Sequence, residues 1–244
     1  MNNAHFSVGA YRVAVSALAA LTLFSATACQ KTNPAQPVQP AATDPGAALS
    51  TPGAIAVAPL AASEYFETLT EQAATATPAE LDATIAKAKF AAARDNHRLQ
   101  SGAARDLSAY LLVVDRARTT MARADLAIAS IEAFRLFVSS GADASAVPAQ
   151  VSLLDYAGFR YAVDVSATPI RWDDATIAAD YAAARWGEIE PRISDVGLKG
   201  RFGASVVGLK TAIHAQDAAD AGRRVQAELD LVDELETYFT TSAK

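Results

Sequence analysis

The chain is predicted to fold as an all-α protein, an antiparallel up-and-down helical bundle of about six or seven helices behind an unstructured N-terminal tether. Three observations carry that prediction. Beyond residue 60 the sequence is rich in Ala and poor in the apolar/polar alternation of strands. Helix start and stop signals recur along it. The longest uninterrupted segment repeats its apolar residues at spacings of three and four.

Taken in order, the first twelve residues are polar and carry one charge, at Arg12. Val13 to Thr27 is a run of fifteen uncharged residues, followed by Ala28 and the only cysteine, Cys29. A charged start, an apolar stretch and small residues are the parts of an export signal. The run is shorter than the roughly 20 residues that span a bilayer, so a removed leader is favoured over a membrane helix.

Thr27-Ala28-Cys29 at the end of such a run resembles the lipobox of bacterial lipoprotein precursors, although the family has Leu where this chain has Ala26. The resemblance covers about the first thirty residues. It implies removal of residues 1–28, acylation of Cys29 and attachment to a membrane by palmitate-type lipid. Because Gln30 is not Asp, it also implies the outer membrane, with the protein facing the periplasm. Ala26-Thr27-Ala28 is also an A-x-A site for ordinary signal peptidase, and that alternative gives a soluble periplasmic protein. With no second cysteine, an internal disulfide, a C-x-x-C redox pair and c-type haem attachment are excluded.

Residues 29–59 follow as a lipidated cysteine and a Pro/Ala-rich linker holding six of the ten prolines, with too little apolar residue to pack. Residues 60–244 are read as one helical domain. The predicted helices lie near 61–76, 78–100, 104–139, 148–166, 173–193, 198–215 and 218–239. Thr77-Pro78-Ala79-Glu80 is a capping box with Pro at the first helical position. Gly141, Thr168-Pro169 and Gly197 serve as stops. Along 104–139, Tyr110, Val114, Ala117, Met121, Ala124, Ile128, Ile131 and Val138 form one stripe of bundle or coiled-coil character, interrupted at Arg135. Val225, Leu229, Val232 and Phe239 do the same in the last helix, turning Asp230, Asp233 and Glu234 outward. The acidic run from Glu228 to Glu236 is read as a solvated face. Gly197, Gly200, Ala204 and Gly208 are read as a close-packing edge, because they match no phosphate-loop pattern.

Arg135 on an apolar stripe demands a partner. If 140–147 reverse the chain, facing residues have numbers summing to about 288, as in any antiparallel hairpin. That places Asp155 near Arg135, and Asp125 near Arg160. These residues, with Tyr156 and Tyr161, are read either as structural salt bridges or as the lining of a pocket between helices. His97 and His214 are the weak metal candidates, and no Glu-x-x-His pair supports them.

The chain contains no G-x-S-x-G elbow, no acid/base carboxylate pair that stands out and no cofactor signature, so a catalyst is not expected. Its 21 Lys and Arg against 27 Asp and Glu give a net charge of −6, and losing Arg12 with the leader makes it more acidic. Without a basic run, nucleic acid is not an expected partner. The sequence therefore points to a lipid-anchored, periplasm-facing protein that acts by binding, with an envelope protein as partner. A small-ligand or metal pocket around Arg135 and Asp155 is the alternative.

Overall fold

In the computed structural model, residues 61–141 and 147–242 are described. The leader (1–28), Cys29 and the linker (29–59) lie outside them, as does most of the 140–147 reversal. The described residues form eight α-helices and no strand, so the fold is all-α. They are α1 (Ala61–Gln72), α2 (Pro78–Asp95), α3 (Ser101–Thr120), α4 (Arg123–Ser140), α5 (Ala149–Ser166), α6 (Trp172–Ile189), α7 (Val196–Ala215) and α8 (Ala218–Ser242). Short 3-10 turns, Asn96–Arg98 and Glu190–Arg192, follow α2 and α6.

Local chemistry sets several boundaries as expected. Thr77 accepts the Glu80 N–H while the Glu80 carboxylate accepts the Thr77 N–H, so both halves of the capping box at α2 are formed. At α7 the boundary differs from the expectation: Asp195 caps the helix by accepting the Leu198 N–H at 2.9 Å, so it begins at Val196 and Gly197, expected as a stop, lies in its first turn.

The predicted helix over 104–139 is two helices, and that is a correction. Met121 adopts the left-handed conformation (φ 54°), and the N–H of Ala122 donates to the Ala117 carbonyl at 2.9 Å. This is a Schellman-type stop. Thr119 and Thr120 precede it, each returning its hydroxyl to a carbonyl four residues back. The spacing of three and four runs through Met121 unbroken, because a single left-handed residue changes direction without costing a position in the count.

α1 packs on α2 and α4, and α3 packs on the same two helices; α5 packs on α6 and α8, and so does α7. The two quartets meet through α4 and α5. They are also copies of one pattern, displaced by about 94–95 residues. α2 buries Leu81, Thr84, Ile85, Ala88, Ala91, Ala92 and Asp95; α6 buries Ala175, Ala178, Ala179, Ala182, Arg185, Trp186 and Ile189, position for position. Leu107, Val114 and Ala117 of α3 correspond to Phe202, Leu209 and Ala212 of α7. Leu126, Ser130, Ala133 and Phe137 of α4 correspond to Ala221, Val225, Glu228 and Val232 of α8. Ala62, Ser63, Phe66, Leu69 and Thr70 of α1 correspond to Ala157, Gly158, Tyr161, Asp164 and Val165 of α5. Both third helices have 20 residues and end in a left-handed residue, Met121 or Gln216.

The core is aromatic where the quartets need volume. Phe66 stacks on Phe137 at 5.8 Å in the first, and Trp186 on Phe202 at 4.5 Å in the second. α5 and α8 approach closely at Gly158. A Cβ on Gly158 would strike Oε2 of Glu228 and Cδ2 of Leu229, so α8 occupies the space that any side chain at 158 would need. The glycine edge expected in α7 behaves otherwise. Gly200 and Ala204 are exposed, and only Gly208 is buried, against the Arg224 side chain rather than a backbone.

Candidate functional site

The polar centre of the molecule is built on Glu132, in the interior of α4 and 8 % exposed. Its Oε1 accepts the Tyr156 hydroxyl at 2.8 Å and Nη1 of Arg160 at 2.6 Å, both from α5. Its Oε2 accepts Nε of Arg135, one turn along its own helix, at 3.0 Å. Arg160 also donates through Nε to Oδ2 of Asp164 at 3.0 Å, and Asp164 is fully buried. Arg171, just beyond α5, stands 3.9 Å from the other Asp164 oxygen and 3.8 Å from Asp125.

Tyr156 and Glu132, which meet here, have numbers summing to 288. The predicted pairings do not form. Arg135 pairs with Glu132 instead of Asp155, because the i−3 carboxylate needs no reach across the interface. Arg160 pairs with Glu132 and Asp164 instead of Asp125, whose nearest cation is Arg171. Tyr156 joins the centre, while Tyr161 turns to the second quartet and donates to the Leu209 carbonyl at 3.1 Å.

The electrostatics follow the pairing. Burial opposes the charge on Arg135 and on Arg160; Glu132 for the first, and Asp164 with Glu132 for the second, more than offset it, so both guanidiniums are held more firmly charged. Burial, then Glu132, pushes the Tyr156 phenol far up, so it serves only as a donor. Asp164 is pushed up to about 6, because the loss of solvent outweighs the pull of Arg160. The Arg135 guanidinium also lies 5.7 Å from the centre of the Tyr156 ring, and Tyr156 meets Tyr181 edge-on at 5.3 Å.

Asp155 faces a different neighbourhood. The acids whose charge acts on it are Glu67 of α1 and Glu236 and Glu228 of α8. Burial, then Glu71 and Glu236, raises Glu67 to about 7; burial, then Glu67 and Glu236, raises Asp155 well above the usual carboxylate range. Glu228 is fully buried, and neither of its carboxylate oxygens has a partner. That corrects the reading of the Glu228–Glu236 run as a uniformly solvated face. Asp230, Asp233, Glu234 and Glu236 are exposed as expected, whereas Glu228 occupies the core slot between Val225 and Val232.

His97 is exposed in a 3-10 turn with Nδ1 2.9 Å from the Arg94 carbonyl oxygen, and His214 is exposed in the last turn of α7. Among the described residues no three His, Cys, Asp or Glu side chains are grouped to hold a metal ion.

Sequence reasoning missed Glu132, Asp164, Glu67 and Glu228. The signals for three of them were present. Glu132 stands three residues before Arg135, Asp164 four after Arg160, and Glu228 interrupts an apolar stripe as plainly as Arg135 does. A comparison with protein-family models, curated proteins and solved structures finds no match for the chain.

Proposed function

We propose that the chain is a lipid-anchored, periplasm-facing helical bundle, its helices in antiparallel up-and-down order, that acts by binding a cell-envelope protein rather than by catalysis. The observation that carries this reading is Cys29, the single thiol, placed directly after an uncharged run that ends in the small residues Thr27 and Ala28 and before a Pro-rich stretch. A tether of that composition holds a folded domain away from a membrane, which suits a protein whose work is contact.

The helical part supports a binding role in two ways. The polar groups at the α4–α5 interface are taken up by one another, with Tyr156 and Arg160 on one oxygen of Glu132 and Arg135 on the other. They hold the two quartets together and are not free to engage a substrate. Outside, α2 and α3 present Phe90 and Leu112 at 75 % and 72 % exposure, apolar surface beside the Lys89–Asp115 ion pair. The alternative pocket around Arg135 and Asp155 lacks geometric support, since the two residues belong to separate clusters.

The test is intact mass spectrometry of the protein purified from bacterial membranes. A chain starting at Cys29 and carrying acyl groups is the expected result, and crosslinking from the membrane then identifies the partner. An unmodified chain starting at Cys29 favours the soluble periplasmic alternative. A chain retaining residues 1–28 sinks both.

A further inference from the structure

The outer side of the α2–α3 hairpin joins exposed apolar residues to cations that nothing neutralises. Phe90, 75 % exposed, stands opposite the buried stripe of α2 formed by Leu81, Ile85, Ala88 and Ala92. Leu112, 72 % exposed, likewise stands opposite Leu107, Val114 and Ala117 on α3. The Lys89–Asp115 ion pair links the two helices beside them. Lys87 lies one turn before Phe90, while Arg105 and Arg116 lie two turns before and one turn after Leu112. All three are exposed, and none has an ion-pair partner among the described residues. The neighbouring acids are taken, Asp115 by Lys89, Asp82 by Arg118 and Asp95 by Arg94. Glu80 caps α2, and Asp106 lies about a third of a turn round α3 from Leu112, toward Tyr110.

Charge is divided accordingly. Residues 78–120 carry seven Lys and Arg against five Asp and Glu, in a chain whose net charge is −6. The acid is concentrated in α8, with six Asp and Glu against two Arg, and in α1, with three against none. The internal repeat acts as a control. The second quartet exposes Val207 at the position of Leu112, but Lys87, Arg105 and Arg116 have Tyr181, Gly200 and Thr211 as their counterparts. The helix arrangement therefore does not require the cations.

We propose that the α2–α3 face rests on an anionic phospholipid surface, with Phe90 and Leu112 entering the headgroup layer and Lys87, Arg105 and Arg116 against the lipid phosphates. The proposal rests on the membrane-anchored reading above. A tether that keeps the domain beside a bilayer raises the effective concentration of lipid at this face, so a shallow contact suffices. Lipid phosphates attract the three cations within about 8 Å at physiological ionic strength. The same surface repels acid-rich α8, which orients the domain as well as holding it.

The test takes the protein purified from bacterial membranes and mixes it with vesicles of phosphatidylcholine, alone or with phosphatidylglycerol. Flotation with the neutral vesicles reads the anchor. Acylation of lysines by a water-soluble reagent, followed by mass spectrometry, reads the face. Lys87 is expected to react several-fold more slowly on the anionic vesicles than on the neutral ones, while Lys210, exposed on α7, reacts equally on both. The protection is expected to vanish in high salt and in the double variant Arg105→Glu/Arg116→Glu, whose positions are exposed. Equal reactivity of Lys87 on both vesicles, or protection that the double variant keeps, overturns the proposal. So does a Lys87 that is open on anionic vesicles yet covered in intact cells, which gives the face to a protein partner. Failure to float with neutral vesicles counts against the anchor alone, and the Lys87 comparison, made at excess lipid, still decides the face.

Discussion

At the scale of single residues, the two quartets solve one packing problem with opposite choices. α1 places Ser63 where α5 has Gly158, and α4 places Ala133 where α8 has Glu228. A larger residue on the first helix goes with a smaller one on the last, and the reverse in the second quartet. Gly158→Ser alone drives a side chain into the Glu228 carboxylate and Leu229, and is expected to cost about 1–3 kcal/mol as overpacking. Combined with Glu228→Ala, the same change restores the arrangement of the first quartet and recovers most of that loss. Urea midpoints of the two single variants and the double variant give the coupling, which should reach about 1 kcal/mol or more; additive costs would show that the two residues do not share the space.

Residue chemistry also marks how far the polar centre was legible. That Arg135 needs a partner follows from its place on the stripe. The identity of the partner did not follow, because choosing between Glu132 and Asp155 depends on where a flexible guanidinium turns once both helices are packed. Glu67 gave no sequence signal at all, since its proximity to Asp155 arises only when α1 docks.

At the scale of elements, helix existence was readable and one boundary was not. Capping residues and proline placed the start of α2 and the end of α5, whereas the break between α3 and α4 depends on a left-handed Met121 that no glycine announces. Such a residue pays for its Cβ in that conformation, at about 1–2 kcal/mol. Met121→Gly and Gln216→Gly, at the matching stops of α3 and α7, are each expected to stabilise the protein by about 0.5–1 kcal/mol after the entropy of glycine is set against the gain. Thermal unfolding measures this, and a lowered midpoint would show that the side chains themselves hold the turns.

At the scale of the whole molecule, the joint between quartets is narrow and polar. Glu132 is its common acceptor, and removing it strands Arg135 and leaves Arg160 with Asp164 alone, in a mostly buried place. Glu132→Ala is expected to cost about 3–5 kcal/mol, as for other broken buried pairs. It is also expected to turn one cooperative urea transition into two, the quartets melting separately, with circular dichroism and tryptophan fluorescence no longer coincident. Trp172 and Trp186 both lie in α6, so fluorescence follows the second quartet alone. Coincident, unshifted transitions would show that apolar contact between α4 and α5 suffices.

The repeat escaped sequence reading because its two copies share burial and almost no identity. Of the five aligned pairs in α1 and α5, only Ala62 and Ala157 match. Apolar and small residues interchange freely at a buried position, so the pattern survives in the fold after it has faded from the letters. Each quartet is thereby a working template for repacking the other. The question of what could replace a buried acid at 164 or 228 already has an answer written in the same chain, as Leu69 and Ala133.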